Sequence, residues 1–100
     1  MIHYEVSKGV LNIKIGGELD HSVATTIKER LDKVIRGGGY EMVVFDFSDL
    51  QFMDSTGVGL LLGRYKTAKS MAKPVAIFRP SAPVDKVLKV SGIYSIMPKI

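Results

Sequence analysis

Apolar and polar positions alternate with a period of two over "HYEVSKGVLNIKIGGELD" (residues 3–20), with Val10, Leu11, Ile13 and Ile15 supplying the β-branched and aliphatic content. The pattern breaks at Lys8-Gly9, which predicts a hairpin of two strands, the second ending at Gly16-Gly17. The period then lengthens. In "DHSVATTIKERLDKVIRGGG" (20–39), Val23, Ile27, Leu31, Val34 and Ile35 fall on one helical face. Asp20 or Ser22 can cap that helix, and Gly37 to Gly39 end it. "YEMVVFDFSDL" (40–50) is almost continuously apolar, as a strand buried on both faces must be.

Beyond it, Val58, Leu61, Leu62, Tyr65 and Ala68 mark a second amphipathic helix running to about Met71. "KPVAIFRP" (73–80) reads as a short buried strand fenced by two prolines. Val84, Val87, Leu88 and Ser91 give a third helix, capped by Ser81 and closed by Gly92. "IYSIMPKI" (93–100) reads as a last strand. The expected order is β-β-α-β-α-β-α-β, an α/β fold whose sheet is mixed but mostly parallel, with right-handed crossovers.

Composition narrows the function classes. One hundred residues, 46 % of them apolar, make a single domain over 1–100 with an ordinary core. The net charge of +4 comes from scattered basic residues, so no direct nucleic-acid contact is expected. Without cysteine there is no disulfide framework or thiolate zinc site. The start "MIHYEVS" has no signal-peptide form, and "LLL" at 60–62 is the longest aliphatic run. A cytoplasmic chain with no membrane contact is the expectation.

The stretch "FMDSTGVGLL" (52–61) holds the candidate chemistry. A Ser-His-Asp triad can be written from Ser55, His21 and Asp20, but no G-x-S-x-G elbow surrounds the serine. His3 and His21 lack the spacing of metal ligands. No catalytic residue, metal or cofactor is therefore assigned. Gly57, Gly59 and Gly63 approximate a dinucleotide loop, with Arg79 twenty residues beyond Gly59. Against a nucleotide-binding domain, these glycines start ten residues after Phe47, and one βαβ unit is barely half of such a fold.

Glycine in a helix costs up to about 1 kcal/mol against alanine, so three within seven positions imply that packing or recognition requires a bare surface. Asp54 or Ser55 serves as an N-cap, yet a cap needs one polar residue and Asp54, Ser55 and Thr56 stand in a row. A hydroxyl at a helix start is also a well-placed phosphoacceptor. A phosphate there adds about −1.5 to −2 charges facing the positive end of the helix dipole.

Those residues carry a resemblance. "FDFSDLQFMDSTGVGLLLGRYK" (45–66) closely resembles the signature of the anti-sigma factor antagonists, the bacterial STAS domains, and "GELDH" (17–21) is similar to their second landmark. "GRYK" at 63–66 leans toward the sporulation branch, the antagonists of anti-sigma F factor. The resemblance implies the STAS fold and a partner switch. An anti-sigma factor that is also a serine kinase phosphorylates the serine after the motif's Asp, here Ser55, with Thr56 its neighbour. The unphosphorylated protein binds that anti-sigma factor and frees its sigma factor; a serine phosphatase restores the active form. Asp20 maps beside the phosphoacceptor, and the partner-facing set is Asp20, Asp54, Ser55, Thr56, Gly57 and Gly59. The chain itself is then no enzyme, and is expected to be a monomer in isolation. Family members usually continue into another amphipathic helix, and this sequence ends at Ile100. The alternative on the same fold is a scaffold subunit of a sensory or transport assembly without sigma control.

Overall fold

The computed structural model describes residues 1–100. In chain order the elements are β1 (Ile2–Ser7), β2 (Val10–Ile15), β3 (Gly17–Leu19), α1 (His21–Arg36), β4 (Met42–Asp46), β5 (Leu50–Met53), α2 (Ser55–Ser70), β6 (Val75–Phe78), α3 (Ala82–Ser91) and a 3-10 turn at Ile93–Ser95. A four-stranded sheet runs β1-β2-β4-β6, antiparallel at β1–β2 and parallel at the other two joins. The expected α/β class and the mixed, mostly parallel sheet hold.

Two strands were not anticipated. β3 and β5 pair in parallel as a separate two-stranded sheet, so the chain expected to end a strand at Gly16-Gly17 starts another there. The expected strand at 93–100 is corrected. Gly92 closes α3 in the left-handed conformation (φ +77°), which turns the chain into a 3-10 turn. Only an isolated bridge, Ile77 to Lys99, follows. Ile77 N donates to Pro98 O and Ile100 N to Ile77 O, both at 2.9 Å, so the tail lies along β6 for one step without becoming a ladder.

The core lies between the larger sheet and the helices. Leu11, Ile13 and Ile15 of β2, Val43 and Phe45 of β4, and Val75 and Ile77 of β6 face Ala24, Ile27, Leu31 and Ile35 of α1, Leu60, Leu61 and Ala68 of α2, and Val84 and Leu88 of α3. α1 buries nearly the face its periodicity predicts. α2 is rotated from the expected one: Leu62 is 38 % exposed, while Gly57, Leu60 and Thr67 turn inward. Thr67 is tolerated there because its hydroxyl donates to Asp32 Oδ1 at 2.9 Å.

α1 and α2 are also joined by charge. Arg64 Nε lies 2.8 Å from Asp32 Oδ1, with side chains only 11 % and 22 % exposed. The Nε–H is not aimed at that oxygen and makes no hydrogen bond, so the attraction there is ionic.

Candidate functional site

The register of the small sheet builds the site. β3 and β5 run parallel with Leu19 opposite Met53, so the next residues, Asp20 and Asp54, leave the ribbon side by side. Each becomes a helix cap in extended backbone. Asp20 accepts from Val23 N at 3.0 Å at the start of α1, and Asp54 accepts from Thr56 N at 2.9 Å at the start of α2. Of the alternatives Asp20 or Ser22, and Asp54 or Ser55, the aspartate is the cap both times. Ser55 is thereby released from capping. It is the first residue of α2, it is exposed, and its hydroxyl makes no hydrogen bond within the chain.

Ser55 and Thr56 point into different clefts. Ser55 lines one between α2 and α3 with Asp54, Val58, Lys86, Val87, Val90 and Ser91. Thr56 lines one between α1 and α2 with His21, Ala24, Thr25, Lys28, Gly59, Leu60 and Arg64. The helix backbone separates the two hydroxyls. His21 opens onto the Thr56 side, so the conceivable Ser55-His21-Asp20 triad is not assembled, and Asp20 is occupied as a cap.

The three glycines divide. A Cβ on Gly57 would stand 2.6 Å from Met53 Cγ and 3.3 Å from Leu19, because α2 crosses the β3–β5 ribbon at that point. Gly57 is buried, and packing against Met53 and Leu19 is what requires a glycine there. A Cβ on Gly59 or Gly63 would meet nothing within 4 Å. All three lie inside α2 and none in a loop before it, which removes the dinucleotide-loop reading. The strand before α2 ends at Met53 and not at Phe47, so the ten-residue gap after Phe47 does not itself count against such a loop. Arg79 follows β6 with φ 52° and lies over the Phe78 ring at 5.6 Å.

The α3 wall of the Ser55 cleft was not foreseen. Its one available signal was Val90, a valine 82 % exposed on the outer side of a helix whose inner face is filled by Val84 and Leu88. That wall is held in place by Asp85. Its carboxylate accepts from the Tyr94 hydroxyl at 2.6 Å and pairs with Lys99 at 3.1 Å and Lys89 at 3.2 Å. The Tyr94 hydrogen bond first, then the one from Lys99, draws Asp85 from 3.8 down to about 2. Burial, reinforced by Asp85, pushes the Tyr94 hydroxyl well above its ordinary value.

Comparison with known proteins gives a consistent set. The family model for the STAS domain matches residues 1–100. An anti-sigma F factor antagonist from Paenibacillus polymyxa is 37 % identical over 97 residues, which are 97 % of this chain and 83 % of that protein. The solved structure of the anti-sigma factor antagonist SpoIIAA in its unphosphorylated form superposes with a TM-score of 0.84 at 33 % identity, covering 100 % of this chain and 88 % of the other. That of the Bacillus cell fate determinant SpoIIAA in the phosphorylated form gives 0.74 at 32 % identity, covering 100 % and 91 %. No helix is long and apolar enough to cross a membrane.

Proposed function

The chain belongs to the STAS domain family, and on that premise we propose that it is an anti-sigma factor antagonist switched by phosphorylation of Ser55. Unphosphorylated, it binds an anti-sigma factor and releases the sigma factor held there. The observation that carries this reading is the exposed Ser55 hydroxyl, uncommitted to capping, beside two aspartates aligned by the Leu19–Met53 register. The similarity to an anti-sigma F factor antagonist and to a protein solved in both phosphorylation states supports it.

The partner is an anti-sigma factor that is also an ATP-dependent serine kinase. It supplies ATP, Mg²⁺ and the base. The Ser55 oxygen forms a bond to the γ-phosphorus as the bond to the β,γ-bridging oxygen breaks, and the hydroxyl proton passes to the kinase. A serine phosphatase reverses the modification with water. This chain contributes a hydroxyl and a docking face and is regulatory, not enzymatic. Asp20, Asp54, Thr56 and Gly59 form the face around Ser55.

The added charge is by itself sufficient for a switch. An interface closed over a neutral serine has no counter-charge of the docking protein's own for a doubly charged group, and burying that group costs several kcal/mol. A loss of about 3–4 kcal/mol lowers affinity about 10²–10³-fold. Incubation with the kinase and ATP is expected to label the native chain and not Ser55→Ala; undiminished label on the alanine variant removes Ser55 from the mechanism. Ser55→Asp is expected to bind the anti-sigma factor far more weakly, and equal affinity in titration calorimetry defeats the charge mechanism.

A further inference from the structure

The cleft that Ser55 lines, of about 390 Å³, contains two charged groups. Asp54 comes from the α2 side and already accepts from Thr56 N. Lys86 comes from α3 and pairs with no carboxylate: the four ion pairs of the molecule are Lys14–Asp49, Arg64–Asp32, Lys89–Asp85 and Lys99–Asp85. The carboxylate next to Lys86 in sequence, Asp85, is taken up by Tyr94, Lys89 and Lys99. The basic side chains of the neighbouring cleft, His21, Lys28 and Arg64, face Thr56 across the other side of α2. Between Asp54 and Lys86 the remaining surface is Val58, Val87, Val90 and Ser91.

We propose that Lys86 is the counter-charge of phosphorylated Ser55: the phosphate settles across the α2–α3 cleft against the Lys86 ammonium and covers the valine wall. This rests on the reading of Ser55 as phosphoacceptor and deepens it. The Asp54 carboxylate repels a phosphate that folds back over the cap, and Lys86 is the one cation on the side toward which it is pushed. A lysine is a mobile point charge suited to such a group. Phosphorylation then does two things to a docking protein. It charges the hydroxyl, and it withdraws an apolar cleft that the unphosphorylated form leaves open.

The test installs phosphoserine at position 55 during translation of the full chain, so no kinase is needed. Phosphorus NMR then follows the second ionisation of the phosphate, ordinarily near pH 6. In Lys86→Gln the midpoint is expected to rise by about 0.2–0.7 pH unit, the size one exposed ion pair produces. Lys86→Arg is expected to restore the native midpoint. The Val87 and Val90 methyl resonances are expected to shift on phosphorylation in the native chain and to stay put in Lys86→Gln. Unphosphorylated Lys86→Gln is expected to keep the native Tm, because the exposed lysine pairs with nothing. Identical midpoints in native and Lys86→Gln chains overturn the proposal, as do valine methyls indifferent to the phosphate. Failure of a kinase to label Ser55 would instead strike the reading beneath it, and the two failures are read in separate experiments.

Discussion

Replacing Gly59 by alanine separates stability from recognition. Within a helix interior, alanine is favoured over glycine by about 1 kcal/mol. At Gly59 an added methyl meets nothing within 4 Å, so nothing offsets that gain. For a domain of this size, about 1 kcal/mol corresponds to a rise in Tm of about 4–8 °C. Gly57→Ala has the same propensity gain but places its methyl 2.6 Å from Met53 Cγ, a buried atom with little freedom to retreat. Overpacking of that kind costs about 1–3 kcal/mol, so the net change is expected to lie between zero and about 2 kcal/mol of destabilisation. Calorimetric or circular-dichroism melts of the two variants should therefore move in opposite directions. If the bare surface at Gly59 serves docking, the more stable variant should also bind the anti-sigma factor more weakly in titration calorimetry. A fall in Tm for Gly59→Ala, or a rise for Gly57→Ala, would refute the division of the glycines. A stabilised Gly59→Ala of native affinity would refute the docking role.

Two further outcomes test the frame of the site. Asp32→Ala leaves Arg64 largely buried without its carboxylate and leaves the Thr67 hydroxyl only its longer bond to Gly63 O at 3.2 Å, so urea unfolding should show a loss of about 2–4 kcal/mol; a loss under 1 kcal/mol would mean that the pair contributes little between α1 and α2. Asp85 has a folded-state value near 2 against an ordinary 3.8, so its contribution is fully present above about pH 4 and is lost as pH falls through 2. Asp85→Asn should melt below the native chain at pH 6, with the gap closing toward pH 2; a gap independent of pH would show that ionisation of this carboxylate is not what holds α3 to Tyr94 and the tail.

Long periodic segments were legible in the sequence because local pattern and tertiary burial agree in them. α1 and β4 are the clearest cases. β3 and β5 were not, since "GEL" and "LQFM" are too short to show a period and owe their existence to each other. The tail misled for a different reason: "IYSIMPKI" has strand-like composition, but the left-handed Gly92 directs it into a 3-10 turn and Pro98 has no N–H to give a ladder. α2 was placed correctly in sequence and wrongly in rotation. Its apolar residues are spread around the helix, and the buried face includes Gly57 and Thr67, whose hydroxyl finds an acceptor in Asp32. The Asp54-Ser55-Thr56 run was legible because its excess of polar groups over capping need is a local property. The α3 wall belongs to a distant segment, and no local excess announced Lys86.

Consecutive residues on a helix diverge by about 100°, so a Ser-Thr pair addresses two separate furrows of the surface. An approaching enzyme confined to the furrow beside α3 meets the free Ser55 hydroxyl, since the Ser91 hydroxyl there is engaged with Leu88 O, and has no need to tell serine from threonine by the methyl group. Selectivity between adjacent hydroxyls is thus written into compass bearing instead of side-chain identity. The fold can enforce it before any catalytic residue of the visitor has made contact.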